Sequence, residues 1–496
     1  MARDASRRRL TRREFLAASV LSTGAAILAA CGGTASAPTT APQAAAPTQA
    51  PSAPQATAAP TQAAAAAAKP TEAALPKGAA GKLTVIHRTE YFASVQERFK
   101  KTVEDFAKAN NVQLDLSTAN PEVFGDFMAK MQAAVQAGVP PDLSYHTLSI
   151  PQMHFLDIVE DVSDVVDECV KLYGDVVPIG AVQSGKIDGK WWGIPFISNS
   201  GSWFVRKDML DAKNIQMSAL DTWEGRRDAA LAISDPAKEF WGWGVTVNKS
   251  GDGHGIIMDC IQSFGGSITD AGGKKVTWNS PQTIEAVKFL ADIYTNPKYK
   301  PMLPPGVESW TDTSNNEAYL AGKIGMTQNA FSVYAQMKRD KNPNYEKTAV
   351  ARKPKTKDGK ILEAGGSGWI TIFKGSKNKD VAKKLALALI DPKNSMGMFE
   401  EGGGLVMPAY KNLWTDNLLK VDPAFAGLKN IIFNPDAYYG TSHPAPPSAV
   451  HDQVLSESIP SQMMSNVITG KMTAEQAVAD AHKRIVQLFE EAGIKQ

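Results

Sequence analysis

Hydrophobic and polar positions change their period repeatedly along the chain after about residue 81. The run "KLTVIHR" (82–88) predicts a buried strand, and the following segment, 94–110, repeats apolar residues at helical spacing. A second strand ("VQLDLS"), a helix with an apolar stripe from Phe124 to Val135, and a third strand ("DLSYHT") come next. This alternation is typical of a mostly parallel sheet covered by helices, so we predict an α/β fold.

Later helices are indicated by the residues at their ends. Ser280 followed by Pro281 is typical of an N-cap and a first helical position, and an apolar face predicts a helix over 376–391. The last helix is predicted to begin near Thr473. The chain contains no internal repeat that would indicate a solenoid.

The first thirty residues have a pattern of their own. The uncharged run from Phe15 to Ala30 would be about 24 Å long as a helix, shorter than the roughly 30 Å hydrocarbon core of a membrane. Preceded by basic residues, it predicts a secretory signal peptide over residues 1–30 rather than a membrane span. Arg12 and Arg13 resemble a twin-arginine export signal.

The end of this leader, Leu28 to Cys31, resembles the lipobox of bacterial lipoproteins. That resemblance implies cleavage before Cys31, attachment of lipid to this residue, and a position on the outer face of the cell membrane. An ordinary signal peptide with an incidental cysteine is the alternative.

Residues 31–80 are nearly all Ala, Pro, Thr, Gln and Ser. Such a composition buries too little apolar surface to offset the entropy of folding. We therefore expect a lipid-anchored, disordered tether that holds a folded body away from the membrane.

The composition of the whole chain is that of a globular protein, with 43% hydrophobic and 21% charged residues and a net charge of +2. This balance gives no reason to expect nucleic acid as a partner. Besides Cys31, the chain has Cys169 and Cys260, each in a helix-like apolar segment. Since two cysteines offer no disulfide framework, we favour buried free thiols over a pair.

Signatures of common enzymes are missing from the sequence. We find no GxSxG elbow, P-loop, GxGxxG, HExxH or CxxC motif, and the seven histidines do not have metal-ligand spacing. The sequence therefore predicts no catalytic residues, no cofactor and no metal. Glycosidase carboxylates come from distant points of a chain, so a secreted glycoside hydrolase stays as an alternative.

Seven short motifs occur in an order that resembles the family 1 extracellular solute-binding proteins, the receptors of carbohydrate ABC importers, which include the maltodextrin-binding proteins. The resemblance covers essentially all of residues 81–496. The motifs are "VQAGVPPDL", "KIDGKWWGIPFISNSGSWFVRKDML", "TWEGRRDAA", "WNSPQTIEAVKFLADIY", "YLAGKIGMTQNAFSVY", "GGSGWITIFKGSKNKDVAKKLALALI" and "GGGLVMPAY".

The resemblance implies the two-lobed, type II fold of periplasmic binding proteins, with a hinge and a ligand cleft between α/β lobes. It places residues 81–198 and about 315–365 in the first lobe. The second lobe would contain about 199–314 and 366–496, with "KIGMTQN" as a strand of the first lobe.

A sugar site pairs aromatic rings with groups that donate and accept hydrogen bonds. On this basis and by the resemblance, the predicted ligand-binding residues are Glu90, Tyr91, His146, Asn199, Trp241, Trp243, Phe331 and Trp369. Each has an alternative role in packing or loop capping. The positions of His146 and Asn199 are aromatic and acidic in maltodextrin receptors, which argues against a maltodextrin ligand.

The sequence thus predicts a monomeric, lipid-anchored receptor that binds a carbohydrate and delivers it to an ABC permease. Receptors for a glycerol-phosphate compound, a polyol or a polyamine are alternatives within the same class. A structural envelope protein without a ligand is a further alternative.

Overall fold

A computed structural model describes residues 81–119, 124–363, 365–434, 438 and 440–496. The predicted signal peptide (1–30), with Arg12 and Arg13, and the predicted tether (31–80), with Cys31, lie outside the described residues. None of the described helices is both long enough and apolar enough to cross a membrane.

The strands are β1 (Lys82–Arg88), β2 (Gln113–Ala119), β3 (Leu143–His146), β4 (Lys186–Ile187), β5 (Lys190–Trp191), β6 (Ile194–Asn199), β7 (Gly201–Arg206), β8 (Trp241–Trp243), β9 (Ile324–Ala330), β10 (Thr348–Ala351), β11 (Gly366–Ile372) and β12 (Met407–Pro408).

The α-helices are α1 (Ala93–Ala109), α2 (Phe124–Gln136), α3 (Ile150–Phe155), α4 (Ser163–Tyr173), α5 (Ile179–Gly185), α6 (Lys207–Asp211), α7 (Trp223–Ile233), α8 (Gly251–Ser263), α9 (Pro281–Thr295), α10 (Ser314–Leu320), α11 (Ser332–Arg339), α12 (Lys379–Ile390), α13 (Pro392–Gly402), α14 (Asp416–Leu419), α15 (Ala424–Ile432), α16 (Ala449–Ser456), α17 (Ile459–Ile468) and α18 (Ala474–Glu491).

The first sheet has the strand order β12-β6-β11-β3-β1-β2. β1 pairs in parallel with both β2 and β3, and helices connect these strands, which confirms the predicted alternation at the start of the folded part. β11 joins β3 and β6 in antiparallel orientation. We call the body built on this sheet the first lobe.

The second sheet has the order β10-β7-β9-β8. β9 pairs with β7 in antiparallel and with β8 in parallel orientation, so the predicted placement of "KIGMTQN" in the first lobe is wrong. Conversely, β11 and β12 belong to the first sheet, although the sequence analysis assigned residues from 366 onward to the second lobe. We call the body built on the second sheet the second lobe.

Two hydrophobic cores accompany the two sheets. Trp203 and Val205 of β7 point into the core of the second lobe, which also buries the C-terminal helices α17 and α18. Phe204, between those residues, points the other way and packs with the first core. The alternation of side chains along one strand thus gives the second sheet apolar contacts on both faces.

The main chain passes between the two sheets at three places. β6 runs into β7 through Ser200 alone, and the later crossings lie between β10 and β11 and between α15 and α16. Trp310 packs against both cores.

Several predicted helix ends are confirmed. The Ser280 hydroxyl accepts the backbone N–H of Thr283 at 3.2 Å, with Pro281 at the first helical position. Thr473 and Gln476 form a reciprocal capping box at the start of α18. Cys169 and Cys260 are buried free thiols, as the sequence analysis favoured.

We predict that Gly242→Ala lowers the free energy of unfolding by about 1–3 kcal/mol or more, because a methyl group there would overpack the β8–α7 contact. It would lie 1.9 Å from the carbonyl oxygen of Ala230. Urea denaturation measures the change.

Gly427→Ala is the matched control, since no atom lies within 4 Å of a methyl group at this helical position. It should stabilise the protein by about 0.4–1 kcal/mol through the lower entropy of the unfolded chain. Equal effects of both substitutions would contradict the packing of β8 on α7.

Candidate functional site

A cavity of about 450 Å³ lies between the two lobes, within the usual range for small-molecule sites. The first lobe contributes the loop after β3, including Ser149, together with Ser184 and Trp369. Across from them lie polar side chains of the second lobe, which are Asp259, Gln328, Lys353 and Asp452. We call this cavity the cleft.

Trp369 is fixed by two glycines of the first lobe. It lies in β11 opposite His146 and Pro195. A methyl group at Gly185 or Gly193 would lie 2.7 Å or 3.0 Å from the Trp369 ring, so only glycine leaves room for the indole. The side chain is 4% exposed, and Trp369 is one of the residues that line the cleft.

A charged pair lies on the opposite wall. The Lys353 ammonium donates to one Asp259 carboxylate oxygen at 2.7 Å, and the Gln328 side-chain amide donates to the other at 2.8 Å. Asp259 is 8% exposed, so its charge requires these partners. The wall is therefore polar but carries no net charge from this pair.

Tyr438 also lines the cleft. Its hydroxyl donates to Gln262 at 2.6 Å, and the Gln262 amide in turn donates to the carbonyl oxygens of Gly440 and Thr441. The Lys353 ammonium lies 5.7 Å from the centre of the Tyr438 ring. These contacts fix the crossing after α15 against the second lobe.

A hydrogen bond between Ser149 and Asp452 joins the two lobes at the cleft. Ser149 caps α3 by accepting the backbone N–H of Gln152 at 3.1 Å, and its hydroxyl donates to Asp452 in α16. Burial raises the pKa of Asp452 to about 6, against the opposing effect of this hydrogen bond. The contact therefore places a carboxyl that titrates near neutral pH between the lobes.

Two of the eight predicted ligand-binding residues lie at the cleft. Trp369 lines it. Asn199 borders it, because its side-chain oxygen lies against Gly366, a lining residue opposite it in the sheet.

His146 is held inside the first lobe. Its Nδ1 accepts the backbone N–H of Leu148, so Nε2 carries the proton and donates to Thr371 at 3.0 Å. Burial and the nearby Arg88 lower the pKa of His146 to about 3, which keeps the ring neutral. The structure gives this residue a packing and loop-capping contact rather than a place on the cleft wall.

Two predicted aromatic residues are also core residues. The Trp243 indole donates to the Tyr294 hydroxyl at 3.2 Å inside the second lobe. Phe331 packs edge-on against Phe204 and Tyr334. Since neither side chain is exposed, the structure does not bring them to the cleft.

The remaining predicted residues lie outside the cleft lining. Trp241 begins β8 and is partly exposed. Glu90 is buried at the end of β1, where burial raises the pKa of its carboxyl. Tyr91 is 41% exposed, and its hydroxyl accepts the Asn316 amide at 3.4 Å.

Sequence reasoning missed most polar residues of the site. Asp259 did carry a signal, because it lies in the otherwise apolar run "IIMDCI", where a charge is rare unless it is paired. Gln328 belongs to the "KIGMTQN" segment, which the sequence analysis used for the family resemblance and as a strand but not as a source of ligand contacts. Ser149 follows β3, three residues beyond His146.

Two larger cavities lie elsewhere among the described residues. One of about 810 Å³ lies between β10 and α15, and its charged lining residue, Arg352, donates to Glu363 at 2.8 Å. The other, about 550 Å³, lies beside the end of α8. The cleft differs from both in combining an indole from one lobe with a buried ion pair from the other.

A metal has no evident place in the described part of the chain, where no three His, Cys, Asp or Glu side chains are grouped for coordination.

The family model of bacterial extracellular solute-binding proteins matches residues 101–427, more than half of the chain. This match confirms the predicted resemblance to solute-binding receptors.

Curated relatives carry related names. A probable ABC transporter-binding protein of Deinococcus radiodurans is 24% identical over 261 residues, which is 51% of this chain and 60% of that protein. The chain therefore spans less than two thirds of that relative's length. A mannitol-binding protein of Pseudomonas aeruginosa is 22% identical over 346 residues, 64% of this chain and 74% of the relative.

Solved structures share the fold. An ABC transporter solute-binding protein of Thermotoga lettingae, bound with α-D-tagatose, superposes with a TM-score of 0.68 at 20% identity. The superposition covers 83% of this chain and 100% of that chain. At such identity the likeness concerns the fold, and it confirms the predicted two-lobed α/β architecture.

We predict that Asp452→Asn stabilises the protein more at pH 7.5 than at pH 4.5. A carboxyl whose pKa is raised from 3.8 to about 6 favours the folded protein when protonated, and this contribution is lost as the pH rises through 6. Asparagine accepts the Ser149 hydrogen bond and does not ionise, so its contribution to stability does not change with pH. The difference between the two pH values should be about 2 kcal/mol.

Urea denaturation of both proteins at each pH measures this difference, since all other titrating groups are shared. A stability difference that does not change with pH would contradict the buried, interlobe position of the carboxyl.

Proposed function

Since the chain belongs to the bacterial extracellular solute-binding protein family, we propose that it is the substrate receptor of an ABC importer for a neutral sugar or sugar alcohol. The observation that carries this proposal is the cleft, in which an indole of the first lobe faces hydrogen-bonding side chains of the second. A ligand there would contact both lobes.

The chemistry of the cleft matches a polyhydroxylated ligand. The apolar C–H groups of a sugar pack on an indole, and its hydroxyls both donate and accept hydrogen bonds. Asp259 and Lys353 neutralise each other at 2.7 Å, which favours an uncharged ligand over a phosphate or a polyamine.

Both sugars and sugar alcohols are supported by the relatives' names. One relative is called a mannitol-binding protein, and one similar structure holds α-D-tagatose. Since both compounds are small and neutral, we propose this chemical class rather than one member of it.

The receptor binds its ligand without forming or breaking a covalent bond. Closure of the lobes over the ligand buries it, and the closed form is presented to the permease. Micromolar affinity corresponds to about −8 kcal/mol, which ring contact and several hydrogen bonds can supply after the cost of closure.

The family description places the protein outside the cytoplasm. We infer in addition that Cys31 is the lipid-bearing residue and that residues 31–80 tether the receptor to the membrane. The "LAAC" sequence at Leu28–Cys31 supports this inference.

We predict that Trp369→Leu weakens binding of the best ligand at least tenfold, a loss of about 1.4 kcal/mol or more. Leucine keeps an apolar side chain between Gly185 and Gly193 but removes the ring face. Thermal-shift screening of neutral sugars and polyols identifies the ligand, and calorimetry measures its affinity.

Trp414→Leu is the matched control, because Trp414 is equally buried in the first lobe and its indole donates to the carbonyl oxygen of Pro408. It should lower the melting temperature without changing affinity more than twofold. Failure of every sugar and polyol to stabilise the wild type would contradict the proposed function.

We predict that Cys31→Ser moves the protein from the membrane fraction to the soluble fraction of cells that export it. Lipid attached to a cysteine thiol and the new N-terminus supplies the membrane affinity of such an anchor. Fractionation with mass spectrometry of the intact wild type measures both effects. An unlipidated wild-type N-terminus would contradict the anchor but leave the receptor function untouched.

A further inference from the structure

We propose that Gln328 is a specificity-determining residue of the cleft and that Asp259 and Lys353 are positioning residues that fix its amide. In this arrangement the Gln328 side-chain oxygen accepts a hydrogen bond from a ligand hydroxyl. The inference rests on the proposed function and specifies how the same site recognises its ligand.

The first step concerns the orientation of the Gln328 amide. The Asp259 carboxylate only accepts hydrogen bonds when it is ionised, so the group that faces it at 2.8 Å must be the Gln328 nitrogen. The other Asp259 oxygen accepts from the Lys353 ammonium at 2.7 Å, so the two side chains form an ion pair. The Asp259–Lys353 pair thus fixes the orientation of the Gln328 amide, with its nitrogen toward Asp259 and its oxygen on the other side.

The second step concerns the free end of this amide. Among the described residues, the Gln328 side-chain oxygen is buried and has no hydrogen-bond partner. Gln328 lines the cleft. A buried acceptor without a partner is unfavourable, and a donor in the cleft would satisfy it.

The third step concerns the rigidity of the two positioning residues. Asp259 lies on α8 between the buried residues Met258 and Cys260. Lys353 follows β10 at the start of a crossing between the lobes, and its backbone N–H donates to the buried Glu363 at 3.1 Å. Since both backbones are held, the carboxylate and the ammonium stay in place before the ligand binds.

The fourth step concerns the chemistry that this group recognises. Gln328 offers an acceptor, and the Lys353 ammonium keeps protons beyond the one donated to Asp259. In a ligand with two adjacent hydroxyls, one hydroxyl donates to the Gln328 oxygen and the other accepts from the Lys353 ammonium. Sugars and sugar alcohols carry such pairs, whereas a deoxy analogue lacks one member.

The test is a double-mutant cycle, in which calorimetry measures the affinity of the full-length wild type, the two single variants and the double variant. The probes are D-mannitol, D-tagatose and maltose. We expect Gln328→Met and Asp259→Asn each to weaken the best probe at least tenfold. The double variant should be no more than about threefold weaker than either single variant, because Asp259 acts through Gln328. Lys353→Arg should retain more affinity than Lys353→Met.

Asp422→Asn is the matched control, because Asp422 is also buried and ion-paired, with Lys338 at 2.7 Å, but lies outside the cleft lining. It should lower the melting temperature and leave the affinity unchanged. If Asp259→Asn does not fold, the comparison of Lys353→Arg with Lys353→Met decides the question.

The outcomes separate this inference from the proposed function. If the wild type binds a probe and Gln328→Met binds it equally well, the role of Gln328 is overturned. Additive losses in the double variant, or equal affinities of the two Lys353 variants, overturn the positioning role. If neither these probes nor any sugar or polyol of the thermal-shift screen binds the wild type, the proposed function fails and the inference fails with it.

Discussion

The division of the apolar residues into two cores is the constraint on which the rest of this structure depends. Each sheet packs against a core of its own, although Phe204 of β7 also packs with the first core, and the chain crosses between the two bodies at places such as Ser200. Polar residues at the facing surfaces therefore remain at a cleft instead of entering one continuous core. Trp369 and the Asp259–Lys353 pair face each other because they belong to different lobes.

The charges at the cleft are paired before any ligand arrives. Asp259 is nearly buried, and an unpaired carboxylate there would be very unfavourable. Lys353 and Gln328 satisfy it, so what remains for a ligand is a set of directed donors and acceptors beside an indole. Such a surface discriminates by the position of hydroxyl groups rather than by charge, which is why we favour neutral polyhydroxylated compounds.

The local fold was predictable from sequence, whereas the path of the chain between the lobes was not. Apolar spacing and caps such as Ser280 and Thr473 specify elements, because these signals act within a few residues. The strand 324–330 was assigned to the wrong lobe because its partners, β7 and β8, lie far away in sequence. Trp369 was found through its glycine-rich flank, but Asp259, Gln328 and Lys353 meet only after folding.

Double electron–electron resonance between spin labels on the two lobes tests the central claim, that the ligand bridges them, most directly. In a Cys31→Ser chain, cysteines placed at the exposed Leu172 and Lys471 carry the labels, because the native Cys169 and Cys260 are buried. The account predicts that a saturating sugar or polyol narrows the interlobe distance distribution and shifts it to shorter distances. An unchanged distribution, with ligand shown to be bound by calorimetry, would contradict it.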